Sequence, residues 1–290
     1  MTLAQIGNFA VDRVVELEFP AFVVREFFPA CTNDQLADGK ARLGKLISSD
    51  DKLLMSFHSF VVRTPKHTIL VDTCCGNNKP RPARADFSML QTNYLADLAA
   101  QGVKPEEVDY VMCTHLHWDH VGWNTQLLDG RWVPTFPNAK YIMAKREYEF
   151  WDAMHAKGDT SNMHVLSFED SVLPIKRAEQ AVLVSDDFEL EKGLWLEPCP
   201  GHTPGLVLIN LESGGKRGVF VGDAIHHQLQ FLYPELSCRA DTDMTLSAVN
   251  RRAFLDRHAE SDMLVMPAHF PMPTAGQVVR DGNGFGFKGA

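Results

Sequence analysis

Short apolar runs that stop abruptly at a titratable residue recur along this chain. Ile69-Leu70-Val71 leads into Asp72, and Tyr110-Val111-Met112-Cys113 leads into Thr114-His115. Later, Val219-Phe220-Val221 precedes Gly222-Asp223, and Met263-Leu264-Val265-Met266 precedes Pro267-Ala268-His269. Runs of this length read as buried strands that hand the chain to a polar loop. Met55–Arg63 and Thr68–Asp72 pair as a hairpin across Thr64-Pro65-Lys66-His67. Residues 8–19 alternate enough for an opening strand or hairpin arm. Helical spacing is visible over 88–101 (Leu90, Tyr94, Leu95, Leu98), closed by Gly102, and over 145–156 (Tyr148, Phe150, Trp151). A third helix is expected over 243–258, with Leu246, Val249, Phe254 and Leu255 on its apolar face.

Two segments depart from this regularity. Residues 20–50 read as an N-terminal insertion with a short helix near 34–47, serving as a solvent cover for a sheet edge, a lid or a dimer contact. Residues 157–180 are less periodic and are expected to shape a pocket wall, with His155 and His164 exposed. His58 falls inside a strand and reads as a packed core residue, whereas His67 lies in a turn at the surface.

Composition narrows the class. With 290 residues and 45% hydrophobic content, one α/β domain spanning 1–290 can bury a substantial core. A net charge of −9 and a pI near 5.7 argue against a nucleic-acid partner, which requires a basic face. The six cysteines (31, 74, 75, 113, 199, 238) form no CxxC pair or disulfide framework. No leader-like apolar segment and no membrane-length run is present, so a cytoplasmic location without membrane association is expected.

The chemistry concentrates in Thr114-His115-Leu116-His117-Trp118-Asp119-His120. His115 and His117, two apart at a strand end, can face one ion, while Asp119 and His120 can reach a second as the chain turns away. Further ligands should arrive from other strand-to-loop junctions. Pro200-Gly201-His202-Thr203-Pro204-Gly205 presents its histidine from a tight turn. Asp223 and His269 each leave an apolar strand, and a carboxylate in that position makes a good bridging ligand.

This ordered set of five histidines and two aspartates resembles the metallo-β-lactamase superfamily over about residues 55–269. The resemblance implies an αββα sandwich of two mixed sheets flanked by helices, with metals at one sheet edge. It assigns His115, His117 and His202 to one metal, Asp119, His120 and His269 to a second, and Asp223 as the bridge. Asp72 matches the position that orients the ligand loops without touching metal, and Cys74 stands where the family usually has glycine. Gly201–Gly205, Gly222–Ile225 and the ending 275–285 resemble the group that holds quorum-quenching lactonases and methyl-parathion-type hydrolases. Leu206 departs from that group, where histidine is common.

Two divalent ions, expected to be Zn²⁺ with Mn²⁺, Fe²⁺ or Co²⁺ as alternatives, would supply a bridging hydroxide near neutral pH. Asp119 would orient it and return a proton to the leaving group. His226, three residues after the bridging position, is the expected donor to the substrate carbonyl, with His227 facing away. Trp118, Trp123, Phe231 and Tyr233 are the expected walls of an apolar pocket. The expected reaction is hydrolysis of lactones or related carboxylic esters. A phosphotriesterase-like or dehalogenating hydrolase and a mononuclear iron thiol dioxygenase are the alternatives. A small-molecule ester or lactone is the expected partner, and a homodimer is implied by resemblance only.

Overall fold

The order of strands explains where the candidate site loops emerge. In the computed structural model, which describes residues 2–290, β1 (Ala4–Ile6) and β2 (Phe9–Val23) form the opening hairpin. Helices α1 (Val24–Phe27) and α2 (Asn33–Leu43) then occupy the insertion. Thr32 caps α2 in a reciprocal box with Gln35. Strands β3 (Lys52–Arg63) and β4 (Thr68–Val71) form the expected antiparallel hairpin.

Helix α3 (Tyr94–Ala100), strand β5 (Tyr110–Met112), a small hairpin of β6 (Thr125–Leu128) and β7 (Arg131–Pro134), and strand β8 (Lys140–Ala144) follow. Next come α4 (Lys145–His155), α5 (Met163–Ser167), a π-helical turn over 168–172, α6 (Leu173–Arg177) and β9 (Ala181–Val184). The last part contains β10 (Glu189–Glu191), β11 (Leu194–Pro198), β12 (Val207–Ser213) and β13 (Lys216–Gly222). It finishes with α7 (Leu229–Leu232), α8 (Met244–His258), β14 (Leu264–Pro267), β15 (Gly276–Asp281) and β16 (Gly284–Gly289).

These strands make two seven-stranded mixed sheets, ordered β1-β2-β3-β4-β5-β8-β9 and β10 through β16 in sequence. This is the α/β class with two mixed sheets and accompanying helices that the resemblance implies. By internal packing the chain divides into two compact units. One comprises residues up to Leu17 with Phe57–Phe188, the other Glu18–Ser56 with Glu189–Ala290.

In the first unit β4, β5, β8 and β9 run parallel. Interior parallel strands are covered on both faces, which is why Ile69-Leu70-Val71 and Tyr110-Val111-Met112 are apolar throughout. Leu70 and Val111 join a core with Tyr94, Leu98, Phe136, Tyr141 and Phe168. Parallel neighbours end at the same sheet edge, so the residues after β4 and after β5 emerge side by side. In the second unit β13 and β14 are also parallel, with Phe220 opposite Met266 and Gly222 opposite Pro267. Antiparallel β12 starts where β13 ends, and Pro198 pairs with Val207 to close the β11–β12 loop at that same edge.

Four expectations change. The helix expected over 88–101 begins only at Tyr94, because Met89 takes a left-handed φ of 55° that no helix accommodates. Residues 163–177 are helical although 157–180 lacked a clear period, since the π turn shifts the phase of the repeat. Helix α8 forms where expected, but Leu246 and Val249 are exposed. Its buried stripe is Ser247, Arg251, Phe254, Leu255 and His258, and a hydrogen-bonded arginine in that stripe breaks the apolar pattern. His164 is not exposed: its ring lies on His117, with centroids 3.7 Å apart. His58 is buried against Phe60, as expected of a core histidine. All six cysteines are buried and free.

Candidate metal centre

In the first unit, Asp72 leaves β4 in a left-handed turn with φ 55°. One carboxylate oxygen accepts the Thr114 N–H at 2.8 Å. The other accepts the Thr114 hydroxyl at 2.8 Å and lies 2.9 Å from His120 Nδ1. Asp72 therefore braces both ends of the motif after β5. The segments are further zipped by Thr73 N–H to His120 O, Trp123 N–H to Thr73 O and Gly122 N–H to Cys74 O, each at 2.7 Å. A Cβ on Gly122 would sit 1.9 Å from the Cys75 carbonyl oxygen, so only glycine permits this approach. Cys74 adopts a φ of 50°, in the left-handed region that glycine enters most readily.

This frame gathers three buried imidazoles. The rings of His115 and His120 are 4.1 Å apart, and those of His115 and His117 are 4.5 Å apart. Asp119 is the partly exposed member, 3.9 Å from His120 Nε2. Glu147 steadies the loop by accepting the Leu116 N–H at 3.1 Å and the Trp151 indole N–H at 2.8 Å.

In the second unit, Asp223 leaves β13 after Gly222, which has a left-handed φ of 48°. Its two carboxylate oxygens face different histidines. Oδ2 lies 3.2 Å from His202 Nε2 and 3.1 Å from His226 Nε2, whereas Oδ1 lies 3.0 Å from His269 Nε2. His202 is held from behind by Asp241, with Nδ1 2.7 Å from Oδ1, and His269 Nδ1 lies 3.2 Å from the Ser56 carbonyl.

The donor chemistry fits divalent ions. His120, His202 and His269 each turn Nδ1 to an oxygen acceptor, which places the proton there and leaves the Nε2 lone pair to coordinate. Nitrogen and carboxylate donors of this kind suit zinc and its first-row neighbours. Burial alone would raise the Asp241 carboxyl. The hydrogen bond from His202, with the charge of Arg251, instead lowers it well below the usual carboxylate range.

The remaining site residues fall into distinct surroundings. The ring of His226 meets the edge of Phe27 at 5.2 Å, and the His226 backbone N–H donates to Gln230 Oε1 at 2.7 Å. His227 points elsewhere, to the Leu46 carbonyl. Trp118 is buried against Phe87 and Phe57, at 4.7 and 6.3 Å between centroids. Trp123 stacks on Tyr94 at 5.2 Å and donates its indole N–H to Glu16, whose carboxyl burial pushes up. Phe231 packs with Phe270 and Phe287, so the structure gives Trp123 and Phe231 core-packing roles. The Tyr233 hydroxyl donates to Asp38 of α2 at 2.8 Å and anchors the insertion.

Sequence reasoning missed Asp241, Cys238, His164, Glu147 and Phe87. Asp241 sits in the polar run Arg239-Ala240-Asp241-Thr242-Asp243, which reads as a solvated loop. No apolar strand precedes it to signal burial.

Comparison with known proteins adds three findings. The metallo-β-lactamase superfamily profile matches residues 58–269. An N-acyl homoserine lactonase of a Bacillus species is 28% identical over 152 residues, 52% of each chain, so this chain matches about half the length of that relative. Two solved structures share the fold, each at 22% identity and each covering 99% of this chain and 96% of the other. They are the hydrolase AbOPH of the β-lactamase superfamily, with a TM-score of 0.84, and AidC, a dizinc quorum-quenching lactonase in complex with a product, with a TM-score of 0.79.

Proposed function

The chain belongs to the metallo-β-lactamase superfamily, and from that premise we propose that it is a dinuclear metal-dependent hydrolase that opens lactones or cleaves related carboxylic esters. His115, His117 and His202 hold one ion in this reading, Asp119, His120 and His269 the other, and Asp223 bridges them. The observation that carries it is the split of the Asp223 carboxylate, one oxygen toward His202 and the other toward His269. A carboxylate that serves one ion has no need to divide its oxygens between histidines of two sets. Zinc is the metal in this reading, and the cytoplasm its location. The lactone assignment draws support from the lactonase names of the relatives.

When bound, such an ion pair supplies Lewis acidity and a nucleophile from water at neutral pH. The chain's own residues do the rest. Asp119, the accessible carboxylate of the motif, orients the attacking water and carries its proton to the leaving oxygen. In this reading His226 is the imidazole donor to the carbonyl oxygen of the substrate, where negative charge develops. Phe27 fixes the plane of that ring from the insertion. Trp118, backed by Phe57 and Phe87, offers the apolar surface for an acyl chain.

The test is proton release by the zinc-loaded protein given a long-chain N-acyl homoserine lactone. Saturable release that disappears in Asp223→Ala supports the reading. Absence of release with two ions bound overturns the lactone assignment and favours aryl esters or organophosphates.

A further inference from the structure

The metal-binding reading above assigns His202 to an ion through Nε2, and the inference here rests on it. The Nδ1 side of the same ring is as closely built. Asp241 is fully buried. Its Oδ1 accepts from His202 Nδ1 at 2.7 Å and from the Cys238 thiol at 3.2 Å, while Oδ2 accepts the Cys238 backbone N–H at 3.1 Å. The carboxylate thus has three protein donors and one fixed orientation.

The backbone around it is locked to the His202 loop. Thr242 N–H donates to the His202 carbonyl and Asp243 N–H to the Gly201 carbonyl, both at 2.9 Å. Asp243 in turn caps α8 by accepting the Leu246 N–H at 2.9 Å. Gly201, with φ 140°, lies so close to α8 that a Cβ would fall 2.5 Å from Ser247 Cα. Buried Arg251 on the same helix holds the preceding segment, donating to the carbonyls of Pro234 and Leu236 at 2.9 and 2.8 Å. Asp241 therefore reaches His202 from a frame with little freedom to move.

We propose that Asp241 is a positioning residue that fixes the tautomer, orientation and basicity of the His202 imidazole for one of the two ions. Asp72 stands in the same relation to His120, which belongs to the other ion's set. Each ion then has one histidine backed by a buried carboxylate. Such partners typically change metal affinity by about 10–100-fold when removed. A carboxylate also raises ligand basicity in a way that a neutral amide cannot. An asparagine at this position could further present its NH₂ to Nδ1 and favour the wrong tautomer.

The experiment is a chelator competition on zinc-loaded wild type, Asp241→Asn and Asp241→Ala. Thermal melts of the chelated proteins report folding, and cobalt-loaded absorption spectra report the ligand field. The expected result is selective. Both variants fold and release one ion at about 10–100-fold lower chelator strength. The second ion stays within about threefold of wild type, and one cobalt band shifts. Superimposable release curves in the folded variants overturn the inference, and so does equal weakening of both ions. If Asp241→Ala does not fold, the isosteric Asp241→Asn decides between the same outcomes. A wild-type protein that binds no zinc instead overturns the metal-binding reading itself.

Discussion

His227 is held in a state that acid should break. It is 1% exposed, and both ring nitrogens are used: Nε2 donates to the Leu46 carbonyl at 3.0 Å, and Nδ1 accepts the Leu229 N–H at 3.1 Å. A second proton would set Nδ1–H against another N–H and place a charge in the interior. Burial accordingly pushes this imidazole down from 6.5 to about 4, with the Leu46 carbonyl offsetting part of the effect. Above pH 6.5 neither folded nor unfolded chain protonates His227, and it contributes nothing to pH dependence. Between pH 6.5 and about 4 the unfolded chain takes the proton and the folded chain refuses it. Stability then falls by about 1.4 kcal/mol per pH unit, or roughly 2 kcal/mol between pH 7.5 and 5.0.

His227→Gln removes the titration. Its loss of packing and hydrogen bonding is a constant offset that pH does not change. Urea unfolding of both chelated proteins at pH 7.5, 6.0 and 5.0, followed by circular dichroism, measures the difference without interference from metal release. That difference should shrink by about 2 kcal/mol from pH 7.5 to 5.0. Parallel stability curves for the two proteins would refute the neutral, doubly bonded histidine.

Two further substitutions test the frame of the site. Arg251→Met should destabilise by about 3–5 kcal/mol in urea unfolding, because the Ala224, Pro234 and Leu236 carbonyls lose their buried donor; a change below about 1 kcal/mol would deny the arginine that role. Gly122→Ala drives a Cβ into the Cys75 carbonyl and should cost about 4 kcal/mol or more, read as a large drop in thermal midpoint; an unchanged midpoint would contradict the tight pairing of the two loops.

The parts of the molecule that follow simple periodic rules were legible in the sequence. Buried parallel strands require continuous apolar runs, so β4, β5, β13 and β14 were visible, and the candidate site residues that follow them were visible too. The β3–β4 hairpin, α2 and α4 followed from turn residues and spacing. What escaped depended on partners distant in sequence. The buried stripe of α8 contains Arg251, whose burial is tolerable only because carbonyls from 224–236 surround its guanidinium. Asp241 and His164 lie in polar segments, and nothing local distinguishes a solvated aspartate or histidine from one folded against a ligand ring. The π turn at 168–172 shifted the repeat that marks a helix. The left-handed backbone at Cys74 is a conformation that no local apolar pattern encodes.

Metal stoichiometry tests the central claim most directly, since a bridging Asp223 would separate a two-ion hydrolase from the mononuclear alternative. Wild type and Asp223→Ala, loaded with zinc and freed of excess, would be measured by elemental analysis alongside circular dichroism. The account predicts two ions per wild-type chain, and one or none in a variant that retains its fold. Two tightly held ions in Asp223→Ala, or a single ion in the wild type, would contradict it.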